Sequence, residues 1–308
     1  MQTSKAYGNE SGVAARKAAL RFLLGVLEDQ VPLSDQLVAP KGPLSALPPP
    51  ERARAQRLAS DTLRYLRRAD QMLGPFLRLV PIPVVHNILR MAVVELLEHG
   101  TAAHGVVSDA VTLTRSEAPE GKSPGLVNAV LRKVARLDPD DWRTADPPRL
   151  PKPLRKRLVA AYGNKAVIEF ERAHSKGAPL DLTFKGDAAS ADGWEVASVL
   201  PSGSVRLASG VQVSGLPGYG DGDWWVQDTA AALPVRLLGT GAGRSVLDLC
   251  AAPGGKTLQL AANGFEVTAV DISDSRLNRL RENLERTGLT ALVTATDAVE
   301  YHGGPFDV

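Results

Sequence analysis

The segment Val246–Thr257, which reads VLDLCAAPGGKT, restricts the possible folds of this chain more than any other part of the sequence. It joins a short apolar run, typical of a buried strand, to a loop of small residues and then to a helix-forming run. Strand-like and helix-like runs alternate along the rest of the chain, which is typical of a parallel, doubly wound α/β sheet. The predicted elements are strands at 245–249, 266–270 and 291–295 and helices at 256–262 and 274–287.

An acidic residue lies at the end of each of these strands: Asp248, Asp271 and Asp297. Asp271 follows Asp248 by 23 residues and is suited to accept hydrogen bonds from both hydroxyls of a ribose. Asp297 is placed to contact the edge of an adenine. The small residues after the first strand let backbone N–H groups approach a ligand at a helix N-terminus. Together these features predict a nucleoside-binding edge of the sheet.

The loop chemistry selects among nucleoside ligands. The dinucleotide fingerprint G-x-G-x-x-G is absent, because the loop has only the adjacent pair Gly254 and Gly255. A phosphate-binding P-loop requires glycine where Cys250 stands, and the carboxylate of Asp248 would repel a pyrophosphate. S-adenosylmethionine has no phosphate and carries positive charge, so we predict it as the cofactor, with a P-loop phosphate-binding protein as an alternative. The predicted cofactor-binding residues are Cys250, Ala251, Ala252, Pro253, Gly254, Gly255, Lys256, Asp271 and Asp297.

The N-terminal half of the chain has the apolar spacing of helices rather than strands. This spacing predicts helices at 14–28, 51–68, 83–98, 104–115 and 125–137. Prolines and aspartates then indicate a boundary, followed by a helix, strand-like runs at 180–184, 194–199, 205–207 and 211–213, and a helix at 223–233. We therefore predict a multidomain α and α/β chain with an all-α bundle at 1–140, a small α+β linker region at 141–232 and part of a Rossmann-like domain at 233–308.

The charge distribution favours an anionic partner for the front of the chain. Residues 1–150 hold 20 lysines and arginines against 16 acids, whereas the rest holds 16 against 18. Arg64, Arg67 and Arg68 could form a phosphate-contacting ridge on one helix. No apolar run approaches the roughly 18 residues that span a bilayer, and the histidines lack metal-ligand spacing. The single cysteine, Cys250, excludes an internal disulfide framework, so we expect a cytoplasmic protein with no membrane or metal partner.

Several segments carry a family resemblance. Asp248–Thr257 closely resembles the first motif of the RNA cytosine-C5 methyltransferases, specifically of the Sun/RsmB family of ribosomal RNA enzymes. Trp224–Ala231 is similar to the segment that precedes this motif in the family. Ile88–Leu96 and Gly125–Arg132 resemble the NusB-like RNA-binding domain that this branch carries. The resemblance extends from about Ala14 to the end of the chain.

This resemblance implies an enzyme that uses S-adenosylmethionine to form 5-methylcytosine in small-subunit ribosomal RNA, with the NusB-like bundle positioning the RNA. In the family, a cysteine thiolate adds to C6 of the cytosine, which makes C5 able to attack the methyl group. The resemblance places this nucleophile and a second cysteine beyond Val308. The chain itself is therefore expected to contain no catalytic residue and to be inactive alone, with Cys250 packed in the cofactor loop.

A second hypothesis is a non-catalytic, NusB-like RNA-binding protein with a vestigial cofactor domain. The presence or absence of the two catalytic cysteines after Val308 would separate it from the enzyme. The sequence indicates RNA as the partner in both cases and no particular oligomeric state.

Overall fold

The computed structural model describes residues 3–118, 123–186, 194, 197–207 and 213–308. The chain forms two compact units, Met1–Gly177 and Ala178–Val308. The predicted boundaries near 140 and 232 do not coincide with this division, and the three-region organisation stays a prediction. No helix among the described residues is both long and apolar enough to cross a membrane.

The described part of the first unit is helical, as predicted. Three of its helices (α5, α6 and α7) lie where the apolar spacing predicted them. Two short helices (α2 and α8) were not predicted. The helices are α1 (Thr3–Leu27), α2 (Leu33–Val38), α3 (Pro49–Arg64), α4 (Leu66–Leu73), α5 (Pro83–Leu97), α6 (Ala103–Glu117), α7 (Ser123–Val134), α8 (Pro139–Thr144) and α9 (Lys152–Lys176), with a 3-10 turn at Gly74–Phe76.

Helix α5 forms the centre of this unit. It contacts α1, α3, α4, α6 and α7, and Pro83 stands in its first turn, where the missing N–H costs nothing. Because neighbours surround it, residues on several of its faces are buried, among them Val85, Leu89, Ala92 and Val93. This explains why its sequence is apolar almost throughout rather than along a single stripe.

A buried ion cluster connects three of these helices. Arg16 on α1 is 4% exposed and donates two 2.7 Å hydrogen bonds to Glu95 on α5 and one of 2.7 Å to Asp109 on α6. Both carboxylates are also buried. A buried charge is tolerated only when it is paired and hydrogen-bonded. Because its partners lie on α5 and α6, Arg16 holds α1 against these two helices.

The predicted phosphate-contacting ridge on the second helix is wrong. The expected single helix at 51–68 is interrupted at Tyr65, whose φ of −98° and ψ of 14° separate α3 from α4. Arg68 is buried, donates to the carbonyls of Ala145 and Asp146, and lies over the rings of Tyr65 and Trp142. Arg64 is paired with Asp61, which leaves only Arg67 of the three exposed.

The second unit begins with a four-stranded antiparallel sheet in the order β2-β3-β1-β4. Its inner face buries Leu182, Phe184, Val205, Leu207 and Trp224. The strands are β1 (Leu180–Phe184), β2 (Ala197–Val199), β3 (Val205–Leu207) and β4 (Trp224–Val226).

Two predictions in and around this sheet need correction. The helix predicted at 223–233 is wrong in its first part, because the buried aromatic pair Trp224 and Trp225 forms β4 beside β1. Helix α10 (Thr229–Leu238) begins only after Asp228 and continues past Pro234. Of the strand predicted at 211–213, only Val213 lies within the described residues, and it begins a 3-10 turn. Part of the strand predicted at 194–199 also lies outside the described residues.

A parallel sheet in the order β5-β6-β7 follows and confirms the predicted α/β alternation. Its elements are β5 (Ser245–Leu249), α11 (Gly255–Ala262), β6 (Glu266–Asp271), α12 (Asp274–Thr287) and β7 (Leu292–Ala295). On the other side of β5, the N–H of Val308 donates to Ser245 O at 3.2 Å and the N–H of Leu247 donates to Val308 O at 3.0 Å. These two bonds have the pattern of parallel pairing, so residue 308 lies beside β5 as a fourth strand would.

Substitution of Arg16 tests the buried cluster. We expect Arg16→Ala to lower the free energy of unfolding by about 3–5 kcal/mol, because two buried carboxylates lose their partner. Urea unfolding followed by circular dichroism measures this loss. Arg21→Ala is the matched control, since this side chain is 56% exposed and lies 3.5 Å from Glu117, and its loss should stay below about 1 kcal/mol. Equal small losses in both variants would contradict a structural role for the cluster.

Candidate cofactor site

The parallel sheet brings the three predicted acids to one edge. Leu249 pairs with Val270, and Asp271 pairs with Ala295, so the carboxyl ends of β5, β6 and β7 lie side by side. Asp271 is the last residue of β6, Asp248 is the penultimate residue of β5, and Asp297 follows β7 by two residues. Ligands of open α/β sheets bind outside this edge.

The predicted loop lies between β5 and α11. Cys250 is exposed and has a φ of 58°, a left-handed conformation that turns the chain away from the strand. The N–H of Ala251 donates to Val270 O at 3.0 Å, which keeps the loop against the end of β6. Ala251 and Ala252 are buried, whereas Pro253 and Lys256 are exposed. The loop thus presents Cys250, Pro253 and Lys256 to solvent and packs its alanines inward.

Gly254 is the residue that this loop conformation requires to be glycine. It forms the N-cap of α11 with a φ of 107°, a region that residues with a Cβ rarely adopt. An added Cβ would also overlap Cδ1 of Leu280 on α12. At Gly255 an added Cβ would lie 3.4 Å from Gln227 Cγ, which is close to an ordinary contact. Only the first glycine of the pair therefore has both a conformational and a packing reason.

The carboxylate of Asp271 fixes the loop to the sheet. Its Oδ2 accepts the N–H of Ala252 at 3.1 Å and its Oδ1 accepts the N–H of Ser273 at 3.0 Å. The residue is 3% exposed. A carboxylate has about four acceptor sites, so these two bonds leave capacity for two further donors. Asp271 is therefore fixed in orientation and still able to accept hydrogen bonds from a ligand.

Asp248 has a different role from the one that the row of acids suggests. It is buried, and its Oδ2 accepts a 2.6 Å hydrogen bond from the hydroxyl of Thr257 on α11. Burial raises the pKa of the Asp248 carboxyl above its usual value of 3.8, while the Thr257 hydrogen bond and the charge of Lys256 oppose this rise. Asp248 thus connects β5 to the helix beneath the loop.

Asp297 is half-buried and organises the turn after β7. Its Oδ1 accepts the N–H of Val299 at 2.9 Å. No hydrogen bond to its second oxygen is formed within the described residues. Asp297 therefore retains an acceptor at the same edge as Asp271.

Two residues that the sequence analysis missed hold the loop from α12. Arg276 donates to Ala252 O at 2.9 Å and Asn283 donates to Pro253 O at 3.3 Å. Both are polar residues on a helix with many exposed charges, so nothing in their spacing distinguishes them from solvent-facing neighbours.

A chain of buried polar groups holds α11 from the other side. Trp225 Nε1 donates to Gln227, Gln227 donates to Gln259, and Gln259 donates to Ala232 O, each at 2.9–3.1 Å. Gln227 and Gln259 are both buried. Because every member has a partner, the chain fixes α11 relative to β4 and α10 without leaving an unpaired amide.

Asp181 connects α10 to the antiparallel sheet. Its buried carboxylate accepts two hydrogen bonds from Arg206, at 2.7 and 2.9 Å, and one of 3.2 Å from the N–H of Thr229. The Arg206 hydrogen bonds lower the pKa of the Asp181 carboxyl, although burial opposes them.

The described residues contain no group of three or more potential metal ligands.

Comparison with known proteins gives this edge its context. The NusB family matches residues 13–136, and the family described as 16S rRNA methyltransferase RsmB/F matches residues 235–307. Ribosomal RNA small subunit methyltransferase B of Pseudomonas putida is 32% identical, over 94% of this chain and 71% of that protein. The chain belongs to the RsmB/F family of 16S rRNA methyltransferases. The predicted family and its enzyme class are thereby confirmed, and a non-catalytic binding protein is not favoured.

Two further relatives define the extent of the match. The Shigella sonnei member of the family is 31% identical over 80% of this chain and 62% of its own length. The crystal structure of PH0851 superposes with a TM-score of 0.63 and 17% identity, covering 94% of this chain and 70% of that one, which supports the fold. The chain thus spans about 62–71% of the length of these family members.

Substitution of Gly254 tests the loop geometry. We expect Gly254→Ala to lower the free energy of unfolding by about 1–3 kcal/mol, because it forces both a strained φ and an overlap with Leu280. Thermal or urea unfolding measures the change. Gly255→Ala in the same loop is the control and should cost less. A larger loss for Gly255→Ala would show that the described geometry of Gly254 is incorrect.

The raised pKa of Asp248 predicts a pH-dependent difference between the parent chain and Asp248→Asn. The unfolded chain loses this proton near pH 3.8, whereas the folded chain keeps it to higher pH. The free energy of unfolding of the parent therefore falls as the pH rises above 3.8. Asparagine keeps an acceptor for Thr257 and does not titrate. The variant should therefore gain stability relative to the parent as the pH rises above 3.8. A difference between the two proteins that does not change with pH would contradict this.

Proposed function

We propose that this chain binds S-adenosylmethionine at the carboxyl edge of β5, β6 and β7 and takes part in forming 5-methylcytosine in small-subunit ribosomal RNA. The observation that carries the proposal is the carboxylate of Asp271, which is fixed by two backbone N–H groups at the end of the second parallel strand and retains acceptor capacity. An RNA substrate and a single cysteine also favour a cytoplasmic location.

The residues at this edge fit such a cofactor. Asp271 has acceptor sites for two ribose hydroxyls, and Asp297 has an acceptor oxygen for the amino group of adenine. The amide groups at the start of α11 suit the carboxylate of the methionine part. When bound, the cofactor supplies a methyl group on a positively charged sulfur. Carboxylates rather than a phosphate-binding loop suit a ligand of this charge, which is why we favour it over a nucleoside triphosphate.

Cys250 is not the group that we propose as nucleophile. Methylation at C5 of cytosine needs a thiolate that adds to C6 of the ring, and in the family this cysteine follows a later strand. Cys250 instead belongs to the loop that contacts the cofactor, at the end of β5. We therefore propose that these 308 residues supply cofactor binding and RNA positioning, and that the catalytic thiol lies outside them.

Calorimetric titration with S-adenosylmethionine tests this proposal. We expect Asp271→Ala to weaken binding at least about tenfold, because losing hydrogen bonds to a charged acceptor costs about 1.5–3 kcal/mol. Asp297→Ala leaves the loop contacts intact and should weaken binding in the same direction. Asp274→Ala is the control that should retain the parent affinity, and Cys250→Ala should keep most of it.

Circular dichroism of each variant separates lost binding from lost folding. No detectable heat with the folded parent chain, or unchanged affinity in both Asp271→Ala and Asp297→Ala, would overturn the proposed site. A covalent RNA adduct through Cys250 would overturn the proposed role of this cysteine.

A further inference from the structure

A groove of about 650 Å³ runs between α6 and α7 in the first unit. Its α6 wall presents residues spaced three or four apart from His104 to Arg115, a single face about 16 Å long at 1.5 Å per residue. Its second wall extends from Pro124 on α7 to Arg136, two residues after the end of this helix. The apolar floor is formed in part by Val107 and Val111 on the α6 side.

Every charged side chain among the described residues that line this groove is basic. Arg115, Arg132 and Arg136 line it and are exposed, as is His104. None of the three arginines forms an ion pair with another described residue. The two acids of α6 point elsewhere, since Asp109 is paired with Arg16 and Glu117 with Lys17. Three arginines therefore line one concave surface, and none of its described lining residues is acidic.

We propose that this groove binds the phosphate backbone of the RNA substrate, an inference that rests on the proposed function. Arginine binds phosphate oxygens in a bidentate manner and is the preferred residue for such contacts. Ser108, Thr112 and Asn128 also line the groove, and hydroxyl and amide groups of this kind commonly bond to phosphate and sugar oxygens. An acidic protein segment would match the charge but has less use for these neutral donors.

The arginines of the groove differ from Arg16, Arg64 and Arg68 of the same unit. Arg16 and Arg68 are buried and hydrogen-bonded within the helical unit, and Arg64 is paired with Asp61. The arginines of the groove form no such ion pairs with other described residues. Their removal should therefore alter RNA affinity without unfolding the bundle.

The test compares RNA binding by the full chain and by a triple variant, Arg115→Ala, Arg132→Ala and Arg136→Ala. The probe is a fluorescein-labelled, single-stranded oligoribonucleotide of mixed sequence, followed by anisotropy between about 50 and 200 mM salt. Loss of three phosphate contacts should reduce the slope of log affinity against log salt by about 2. The affinity at low salt should fall at least about tenfold, in line with the lost counterion release.

Two matched variants control for net charge and for charge position. Replacing Arg67, Arg78 and Arg157 by alanine removes the same charge from exposed sites outside the groove that also form no ion pair with a described residue and should leave the slope close to that of the parent. Replacing the three groove arginines by lysine keeps the charge and should retain the slope, with some loss of affinity from the missing bidentate contacts. A groove triple variant that matches the parent, or the outside control, in both slope and affinity would overturn the proposal.

Two additional measurements separate this proposal from its alternatives. S-adenosylmethionine titration of the groove variant should match the parent, because the groove residues and the cofactor edge belong to different units. A chain that binds the cofactor but shows no groove-dependent RNA binding would overturn only the groove, whereas groove-dependent RNA binding without cofactor binding would overturn only the proposed function. Tighter, arginine-dependent binding of poly-glutamate than of RNA would overturn the assignment to RNA in favour of an acidic protein.

Discussion

The carboxylate of Asp271 makes two backbone hydrogen bonds on which the candidate site depends. One of them holds the loop after β5 through Ala252, and the other holds the turn into α12 through Ser273. This single side chain therefore connects two adjacent strand ends. Both hydrogen bonds have a carboxylate as acceptor, and a charged acceptor forms stronger hydrogen bonds than a neutral one. The residue proposed to bind the ribose is thus also the residue that holds the loop and the turn around it.

The loop is also supported from both of its flanks. Arg276 and Asn283 bond to its carbonyls from α12, and Gly254 packs against that helix. On the other side, the buried amides of Gln227 and Gln259 hold α11 relative to β4. A small-residue loop has few side-chain contacts of its own, and these polar contacts from neighbouring elements are what restrict it to one conformation. They also make the two sheets of the second unit parts of one packed body.

Arginines in the first unit serve two purposes that the composition does not separate. Arg16 and Arg68 are buried, where their cost of desolvation is offset by carboxylates, carbonyls and aromatic rings. Those of the α6–α7 groove are exposed and face no acid within the described residues. A count of basic residues therefore overestimates the charge that a polyanion would meet, and location in the fold decides which arginines are available.

The sequence by itself determined the alternation of strands and helices in the parallel sheet, the strand bounds to within one residue, the position of the loop and the placing of Asp271 at a strand end. These features depend on apolar periodicity and on small residues over a few neighbouring positions, which is information that a local pattern contains. Only the tertiary structure decided that Asp248 bonds to Thr257, that Trp224–Val226 forms a strand, and that Arg68 is buried. The strand and the burial of Arg68 depend on partners distant in sequence, such as Ala145, which lies 77 positions after Arg68. The Asp248–Thr257 contact spans nine positions but depends on how α11 packs against β5. Local periodicity does not specify which group a side chain will meet in either case.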